Sequence, residues 1–476
     1  MNTALSPLTD TNNRPVASAR NGLDTLLRHD GAAPRYTSYP PANFFTQDAN
    51  AVSSILFDKA GSDTSPLSLY FHVPFCPRRC LFCGCHTEVA RPGSEILAYM
   101  KTLRREFALL VPRLAPGRPV TQIHFGGGTP NAVPPAALAA LLADVRAAFT
   151  LTPDAEIGME CDPGLATPQR LAHYRALGFN RISFGIQDVN PAVLEAVNRH
   201  PSRLPPPELV ETARALGYTG INLDLICGLP LQTRESFRAT VAAIRDANPD
   251  RISLFPYAHV PWIKSHQKTL EALPAPDAAA RVRMMHEARE LLTAGGYEAI
   301  GMDHFARPGD ELAHAKRMGT LRRNFQGYVT DRADQVHALG ASAITQLPDG
   351  YLQNEKNLEV YSARVDEGER PFTGGYLMTA EDKAARAVIN ALLCQGIADV
   401  TAILEQYDVD DVWSADYWFD SLERLAPLLA DELAQAKGGV VRVTPDGFPL
   451  SRRIAAAFDP RAVPATGNAP RYSRAL

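Results

Sequence analysis

From Leu67 onward the chain alternates between short runs rich in β-branched and aromatic residues and longer amphipathic stretches. The short runs are LSLYFHV at Leu67, VTQIHFGG at Val120, AEIGMEC at Ala155, RISFGIQ at Arg181, INLDLICGL at Ile221 and RISLFPY at Arg251. Each has the length and residue types of a strand. Between them EILAYMKTLRREFALL, PAALAALLADVRAAF, TPQRLAHYRALG, PPELVETARALG and TRESFRATVAAIRDA carry apolar residues at helical spacing. Repeated βα units predict an α/β fold with a parallel sheet. Six in succession predict a partial (β/α)6 TIM-like barrel, although spacing alone leaves a doubly wound sheet open.

The pattern divides the chain in three. Residues 1–60 are rich in Asn, Thr, Pro and Ser, contain the patch PRYTSYPPA at Pro34, and lack sustained periodicity. They read as an N-terminal extension or lid. Residues 61–379 hold the barrel and a following segment with a helix near Asp277 to Thr293 and the run YEAIGMDHFARPGD. From about Ala380 the reading turns mostly helical, as in EDKAARAVINALLCQ and ADYWFDSLERLAPLLADELAQ, so 380–476 is expected to be a C-terminal helical domain.

Charge narrows the partners. Lys and Arg number 48 against 52 Asp and Glu, a net charge of −4, so there is no global basic field for nucleic acid or an anionic membrane. No uninterrupted apolar run reaches about 18 residues, and MNTALSPLTDTNNRP lacks a basic region followed by an apolar one. A soluble, cytoplasmic protein without a membrane span is expected. The seven cysteines are odd in number and four lie within ten residues, CPRRCLFCGC from Cys76 to Cys85. Such clustered thiols read as metal ligands rather than disulfides.

The spacing of that cluster is C-x3-C-x2-C-x-C, directly after the first predicted strand. Tetrahedral zinc sites usually draw on two separated ligand pairs. Three thiolates on one loop, Cys76, Cys80 and Cys83, suit a [4Fe–4S] cluster with one iron open to a small-molecule ligand. A structural metal knuckle is the alternative. Cys85 is left as a spare ligand or as a thiol near the reaction. FGGGTP ends the second strand, where three glycines let backbone approach a ligand closely or simply make a turn. Glu160 and Asp224 are carboxylates in apolar strands and need a partner, either a ligand hydroxyl or ammonium or an internal salt bridge. Cys161, Cys227 and Cys394 read as buried small apolar residues.

YFHVPFCPRRCLFCGC resembles the cluster loop of the radical S-adenosylmethionine enzymes, and its CGC ending is similar to that of the oxygen-independent coproporphyrinogen III oxidases. PRYTSYP, FGGGTP, SFGIQD, DLICGLPLQT, YAHVPW, IGMDHFARP, RRNFQGY and QNEKNL occur in that family's order between Pro34 and Leu358. The resemblance implies a [4Fe–4S] cluster on Cys76, Cys80 and Cys83 and two molecules of S-adenosylmethionine. Tyr70, Gly127, Glu160 and Ile344 fall where the family contacts the molecule on the cluster. Phe82, Gly128, Thr129, Gln187, Arg199, Asp224 and Ala258 fall where it contacts the second.

The implied reaction converts coproporphyrinogen III to protoporphyrinogen IX in haem biosynthesis. A 5′-deoxyadenosyl radical takes a hydrogen atom from a propionate β-carbon, and carbon dioxide and one electron then leave to give a vinyl group. The implied partners are a low-potential electron donor and an electron acceptor, the chain is expected to act as a monomer, and Cys85 is the candidate catalytic thiol. Four propionates call for cationic groups, which brings forward Arg35, Arg307, Arg322 and Arg323. Tyr257, Trp262, Phe325 and Tyr328 either face a macrocycle or fill a core. A haem-binding chaperone, another tetrapyrrole-modifying radical enzyme and a structural zinc protein stay open from the sequence.

Overall fold

Along each strand of the βα series, apolar side chains point one way and polar ones the other, and the register carries this alternation from strand to strand. The computed structural model describes residues 19–89, 93–330, 333–462 and 472–475. Six strands, β1 Leu67–Val73, β2 Pro119–Gly127, β3 Thr150–Cys161, β4 Arg181–Gln187, β5 Gly220–Cys227 and β6 Arg251–Pro256, lie side by side and parallel. Short strands β7 Glu298–Ala299 and β8 His304–Ala306 close the β6 edge in antiparallel fashion. On the other edge β9 Gln335–Leu339 runs parallel to β1, and β10 Ile344–Leu347, β11 Gly350–Asn354 and β12 Phe372–Leu377 continue antiparallel. The order of this 12-stranded sheet is β12-β11-β10-β9-β1-β2-β3-β4-β5-β6-β8-β7. Consecutive parallel strands adjacent in sequence order are the partial-barrel arrangement; a doubly wound sheet would reverse its order midway.

Helices α3 Ser94–Leu110, α4 Pro135–Ala148, α5 Pro168–Leu177, α6 Pro206–Ala215 and α7 Arg234–Ala247 join these strands. They start where the chain offers caps: the Thr167 hydroxyl accepts from Arg170 N, and Thr233 and Ser236 form a capping box. The apolar strand faces pack against the helices. Leu67, Leu69, Phe71 and Val73 of β1 are fully buried, and the Phe71 ring sits 5.0 Å from Phe125 of β2 and 6.3 Å from Phe107 of α3. Each such side chain contributes roughly 1.5–3 kcal/mol of apolar burial.

The opposite face is a polar lumen. Tyr70 pairs in register with His124, Gln122 with Glu156, Glu160 with Ser183, Ser183 with Asn222, and Asp224 with Ser253. At the N-terminal end of the strands this lumen is closed by charge. Arg181 pairs with Glu156, Gln122 Nε2 donates to Glu156 Oε1 at 2.9 Å, and Arg251 donates to Asp310 at 2.9 Å. A TIM barrel filled by apolar layers needs no ligand. A lumen lined this way keeps its polar groups for water or a bound molecule.

The ends differ from the sequence reading. The supposedly aperiodic N-terminal stretch contains α1 Ala19–His29 and α2 Ala49–Ala60. Asp48 caps α2, whose Val52, Leu56, Phe57 and Ala60 are buried at helical spacing, and Phe57 reaches Phe372 of β12 at 6.2 Å between ring centroids. In the C-terminal part, α8 Ala380–Gln395 is as expected. The helical pattern read through ADYWFDSLERLAPLLADELAQ is α9 Asp411–Ala430 and stops before DELAQ, because Glu432 takes a left-handed φ of 56°. Ala434–Lys437 then pairs with Val440–Val443 across Gly438 and Gly439, whose φ values of 59° and 81° make a primed hairpin turn. Together with Ile397–Asp399 these form a three-stranded sheet.

Glu156 supplies a test of the charged floor. Burial would raise its carboxyl pKa, but the Arg181 and Arg251 guanidiniums and the Gln122 amide outweigh this and hold it at about 2. A depressed folded-state value stabilises the protein above the ordinary carboxylate range, and the contribution disappears as pH falls through the folded value. Glu156→Gln is therefore expected to lower the melting temperature at neutral pH, with the deficit shrinking between about pH 4.5 and about pH 2. A deficit that stays constant with pH would contradict this reading.

Candidate active site

The upper, C-terminal ends of the strands gather the chemistry. On β1 the Tyr70 hydroxyl lies 3.1 Å from His72 Nδ1, and its ring stacks on His124 with 6.1 Å between centroids and 11° between planes. Glu160, near the end of β3, accepts from Gly127 N at 3.1 Å and faces His124 Nε2 at 3.6 Å. Burial would raise this carboxyl's pKa, but the His124 contact outweighs it and holds it low, so Glu160 stands ionised. Asp224 on β5 is different. Burial raises its pKa against the donors around it, among them the Ser183 hydroxyl at 3.0 Å and the Asn222 amide at 2.7 Å. A positively charged or donating ligand would favour its ionised form.

The glycine run between β2 and Pro130 is more than a turn. A Cβ on Gly127, whose φ is 111°, would fall 2.5 Å from the His72 ring, and one on Gly128 would fall 2.7 Å from Phe75 O. These contacts bring the FGGGTP backbone flat against the start of the cysteine loop. Thr129 Oγ1 then donates to Cys76 Sγ at 3.3 Å.

Cys76, Cys80 and Cys83 are near enough to act electrostatically on one another. Arg199 Nη1 donates to Cys80 Sγ at 3.6 Å, while its Nη2 donates to Gly185 O at 2.6 Å and lies 3.6 Å from Asp162. Its Nε is buried without a hydrogen-bond partner among the described residues. The Cys85 thiol hydrogen-bonds Cys83 and, against burial, brings the Cys83 pKa down, favouring a thiolate. Burial pushes Cys76 the other way, up to about 11. A bound cation is what would hold such a thiol deprotonated. Donors aimed at two sulfurs, a loop that presents three thiols together and glycines with no room for a side chain fit a cluster bound at this loop.

A second segment clamps the loop from 180 residues away. Gln267 Nε2 donates to Phe82 O at 2.8 Å and to Ala258 O at 3.1 Å, His266 Nε2 lies 2.9 Å from Cys83 O, and Lys264 Nζ donates to Cys85 O at 2.7 Å. Leu81 and Phe82 pack on a small apolar cluster of Val193, Val197, Leu229 and Leu270. Gln187 ends β4 at a bulge with φ 70° and its amide lies over Gly185. Ile344 begins β10 and packs towards Phe45 and Tyr351.

Sequence reading missed His72, His124, Asp162, Lys264, His266 and Gln267. His72 and His124 could have been found from the polar alternation in LSLYFHV and VTQIHFGG; the clamp residues carry no local signal. Of the arginines brought forward for propionates, Arg307 stacks on Tyr297 at 4.5 Å and Arg322 pairs with Asp334 on the surface, so neither faces the lumen. Tyr328 is buried with its hydroxyl on Leu393 O, Phe325 packs on Tyr351, and Trp262 is exposed. Cys161, Cys227 and Cys394 are buried, as expected.

Comparison with known proteins places this geometry. Residues 70–244 match the family model of the radical SAM superfamily. The chain is 40% identical over 437 residues to an oxygen-independent coproporphyrinogen III oxidase of Escherichia coli, covering 92% of this chain and 94% of that one. Enzymes of the same name from Synechocystis and Pseudomonas aeruginosa are each 38% identical, over 438 and 460 residues, covering 92% and 95% of this chain and 94% and 98% of theirs. The chain belongs to the oxygen-independent coproporphyrinogen III oxidase family. The solved structure of the Escherichia coli coproporphyrinogen III oxidase, described as a radical SAM enzyme, superposes with a TM-score of 0.84 at 40% identity, covering 90% of this chain and 97% of that one. The family carries a [4Fe–4S] cluster and S-adenosylmethionine, and the loop described above suits the cluster.

The close approach at Gly128 is testable. Gly128→Ala sets a methyl group against fixed backbone and is expected to displace the loop, lowering iron per chain after anaerobic reconstitution to less than about half of wild type. Gly84→Ala, where a Cβ meets nothing within 4 Å, should keep full iron content. Equal iron in both variants would contradict the packing argument.

Proposed function

We propose that this chain converts coproporphyrinogen III to protoporphyrinogen IX without oxygen, by successive oxidative decarboxylation of two propionate side chains. The observation that carries this reading is a polar lumen closed at its upper end by the three-thiol loop, in a chain of this family. When bound, the cluster and S-adenosylmethionine supply the adenosyl group that takes a hydrogen atom from a propionate β-carbon.

The chain's own residues bind, orient and shield. Cys76, Cys80 and Cys83 are the proposed cluster ligands, and Leu81 and Phe82 exclude water on one side of them. Tyr70, Gly127, Glu160 and Ile344 are proposed to hold the S-adenosylmethionine on the cluster, with ionised Glu160 available to its cationic or hydroxyl groups. Phe82, Gly128, Thr129, Gln187, Arg199, Asp224 and Ala258 are proposed to hold a second one. Arg199 suits a carboxylate, because its guanidinium is buried with one nitrogen unpartnered, and Asp224 suits an ammonium or a hydroxyl. Cys85, exposed on the loop, is proposed as a thiol that contacts the reacting groups.

Each propionate loses a hydrogen atom, carbon dioxide and one electron, so a low-potential donor and a separate electron acceptor are proposed as partners, with a monomer as the active unit. No helix among the described residues is long and apolar enough to cross a membrane; a cytoplasmic setting is proposed, supported by free cysteines. We also propose three functional divisions, 1–60, 61–379 and 380–476. The sheet's end at Leu377 and a separate apolar cluster built mostly from residues beyond it support the last boundary.

Two experiments follow. Anaerobic incubation with coproporphyrinogen III, S-adenosylmethionine, a reductant and an acceptor is expected to yield protoporphyrinogen, with a tripropionate species early; a methylated or ring-opened tetrapyrrole as the main product would overturn the reading. Serine at Cys76, Cys80 or Cys83 should abolish iron binding, because a neutral hydroxyl does not replace a thiolate. Serine at Cys85 should leave iron in place and remove turnover. Near-native iron content in all three ligand variants would refute the assignment.

A further inference from the structure

Two arginines 288 residues apart in the chain meet beside β6. Arg35, in the PRYTSYP patch, donates from Nη2 to Pro256 O at 3.1 Å, and Arg323 donates from Nη2 to Arg35 O at 2.9 Å. Behind them Arg452 spends its guanidinium on backbone, donating to the carbonyls of Ala33, Pro34, Arg474 and Ala475. It braces the strap that carries Arg35. Tyr36, with φ of 49°, turns the other way and donates to Asp459 at 3.0 Å, which locks the strap to the C-terminal part of the chain.

The charges here do not balance. Arg35, Arg323 and Arg452 act on one another, and Asp303 is the carboxylate that acts on all three. Asp303 is itself held by His304, Oδ1 to Nδ1 at 2.7 Å, and makes no ion pair within 4 Å with any of the arginines. Arg323 keeps two nitrogens, Nε and Nη1, buried and without a hydrogen-bond partner among the described residues. Guanidinium groups gathered away from water are costly unless an anion accepts from them. Arg35, Asp303, Arg323 and Arg452 line one small cavity of about 50 Å³, and Arg323 also borders a cavity of about 1600 Å³ that reaches the floor residues Gln122, Glu156 and Arg181. Cys85 of the cluster loop acts electrostatically on Arg35, so this cationic corner lies close to where the reaction is proposed to occur.

We propose that Arg323 and Arg35 form a carboxylate subsite that holds a propionate of the tetrapyrrole while another is presented to the cofactors. This assignment rests on the substrate reading given above. A porphyrinogen carries four propionates, and the one that reacts must be free to face the adenosyl group. The register of the ring therefore has to come from carboxylates held elsewhere. A guanidinium with unpartnered nitrogens offers a carboxylate charge-assisted hydrogen bonds that no displaced protein group has to give up.

The test uses reconstituted enzyme with S-adenosylmethionine under anaerobic conditions, and coproporphyrin III as a fluorescent tetracarboxylate probe. Arg323→Gln and Arg35→Gln are each expected to weaken coproporphyrin binding and raise the KM for coproporphyrinogen by about tenfold or more. Iron content and reductant-driven cleavage of S-adenosylmethionine should stay at wild-type levels, and Arg323→Lys should recover part of the affinity. Coproporphyrin tetramethyl ester, which lacks the charges, should bind wild type and variants alike. Unchanged Kd and KM in the double variant, with wild type turning over normally, would overturn the subsite and leave the substrate reading standing. An equal loss for the ester would also overturn it, by showing a packing role. A wild type that neither binds coproporphyrin nor turns over its porphyrinogen would remove the substrate reading, and the subsite with it.

Discussion

The inward-facing polar side chains of the six parallel strands are what the remainder of the molecule is arranged around. Tyr70, His124, Glu160, Ser183, Asn222 and Asp224 stand on the lumen face because the strand period is two and the outward positions are taken by the apolar core. Leaving such groups dry would cost several kcal/mol each. Part of that cost is met by cross-strand hydrogen bonds such as Asn222 to Ser183 at 2.8 Å, and the groups at the upper end are left for ligands. The floor is sealed by arginine and carboxylate pairs, so a molecule entering the lumen meets fixed dipoles above and a salt-bridged base below.

The cysteine loop depends on that frame rather than on its own conformation. It leaves β1 at Val73, is pressed by the glycine run after β2, receives Arg199 from beyond β4 and is clamped by Gln267, His266 and Lys264 from beyond β6. Four separate crossings of the sheet thus converge on ten residues. The clamp works on backbone carbonyls, leaving the sulfurs free, and Lys264 places a positive charge beside the loop without occupying a ligand position. Geometry held by several rigid elements is what a site needs if its groups are to be in place before the reaction starts.

Much of this was legible in the sequence, for identifiable reasons. Strands such as RISFGIQ at Arg181–Gln187 and LSLYFHV at Leu67–Val73 were read to their end residues, since buried parallel strands are short apolar runs between clear breaks. Cysteine spacing carries its own chemistry. Contacts between distant segments were not legible: nothing in HQ at His266 and Gln267 announces a partner 183 or 185 residues earlier. The arginine guesses show the same limit, because Arg307 and Arg323 look alike in sequence and only packing puts one on a tyrosine face and the other beside Arg35. The KGGV hairpin was overlooked because a strong helical pattern ran up to it, although Gly438 and Gly439 marked the turn. The PRYTSYP patch, read as part of an extension or lid, carries Tyr36 and Tyr39, which pack into the C-terminal apolar cluster. Barrel and C-terminal part are therefore joined through the N-terminal segment.

Presentation of a propionate β-carbon to the adenosyl group at the cysteine loop is the step on which the proposed function turns. It is tested most directly by following the hydrogen atom. Coproporphyrinogen III deuterated only at the propionate β-carbons, incubated anaerobically with the reconstituted enzyme, S-adenosylmethionine, a reductant and an electron acceptor, should yield 5′-deoxyadenosine carrying one deuterium, measured by mass spectrometry. Formation of unlabelled 5′-deoxyadenosine alongside full conversion to vinyl product would contradict it.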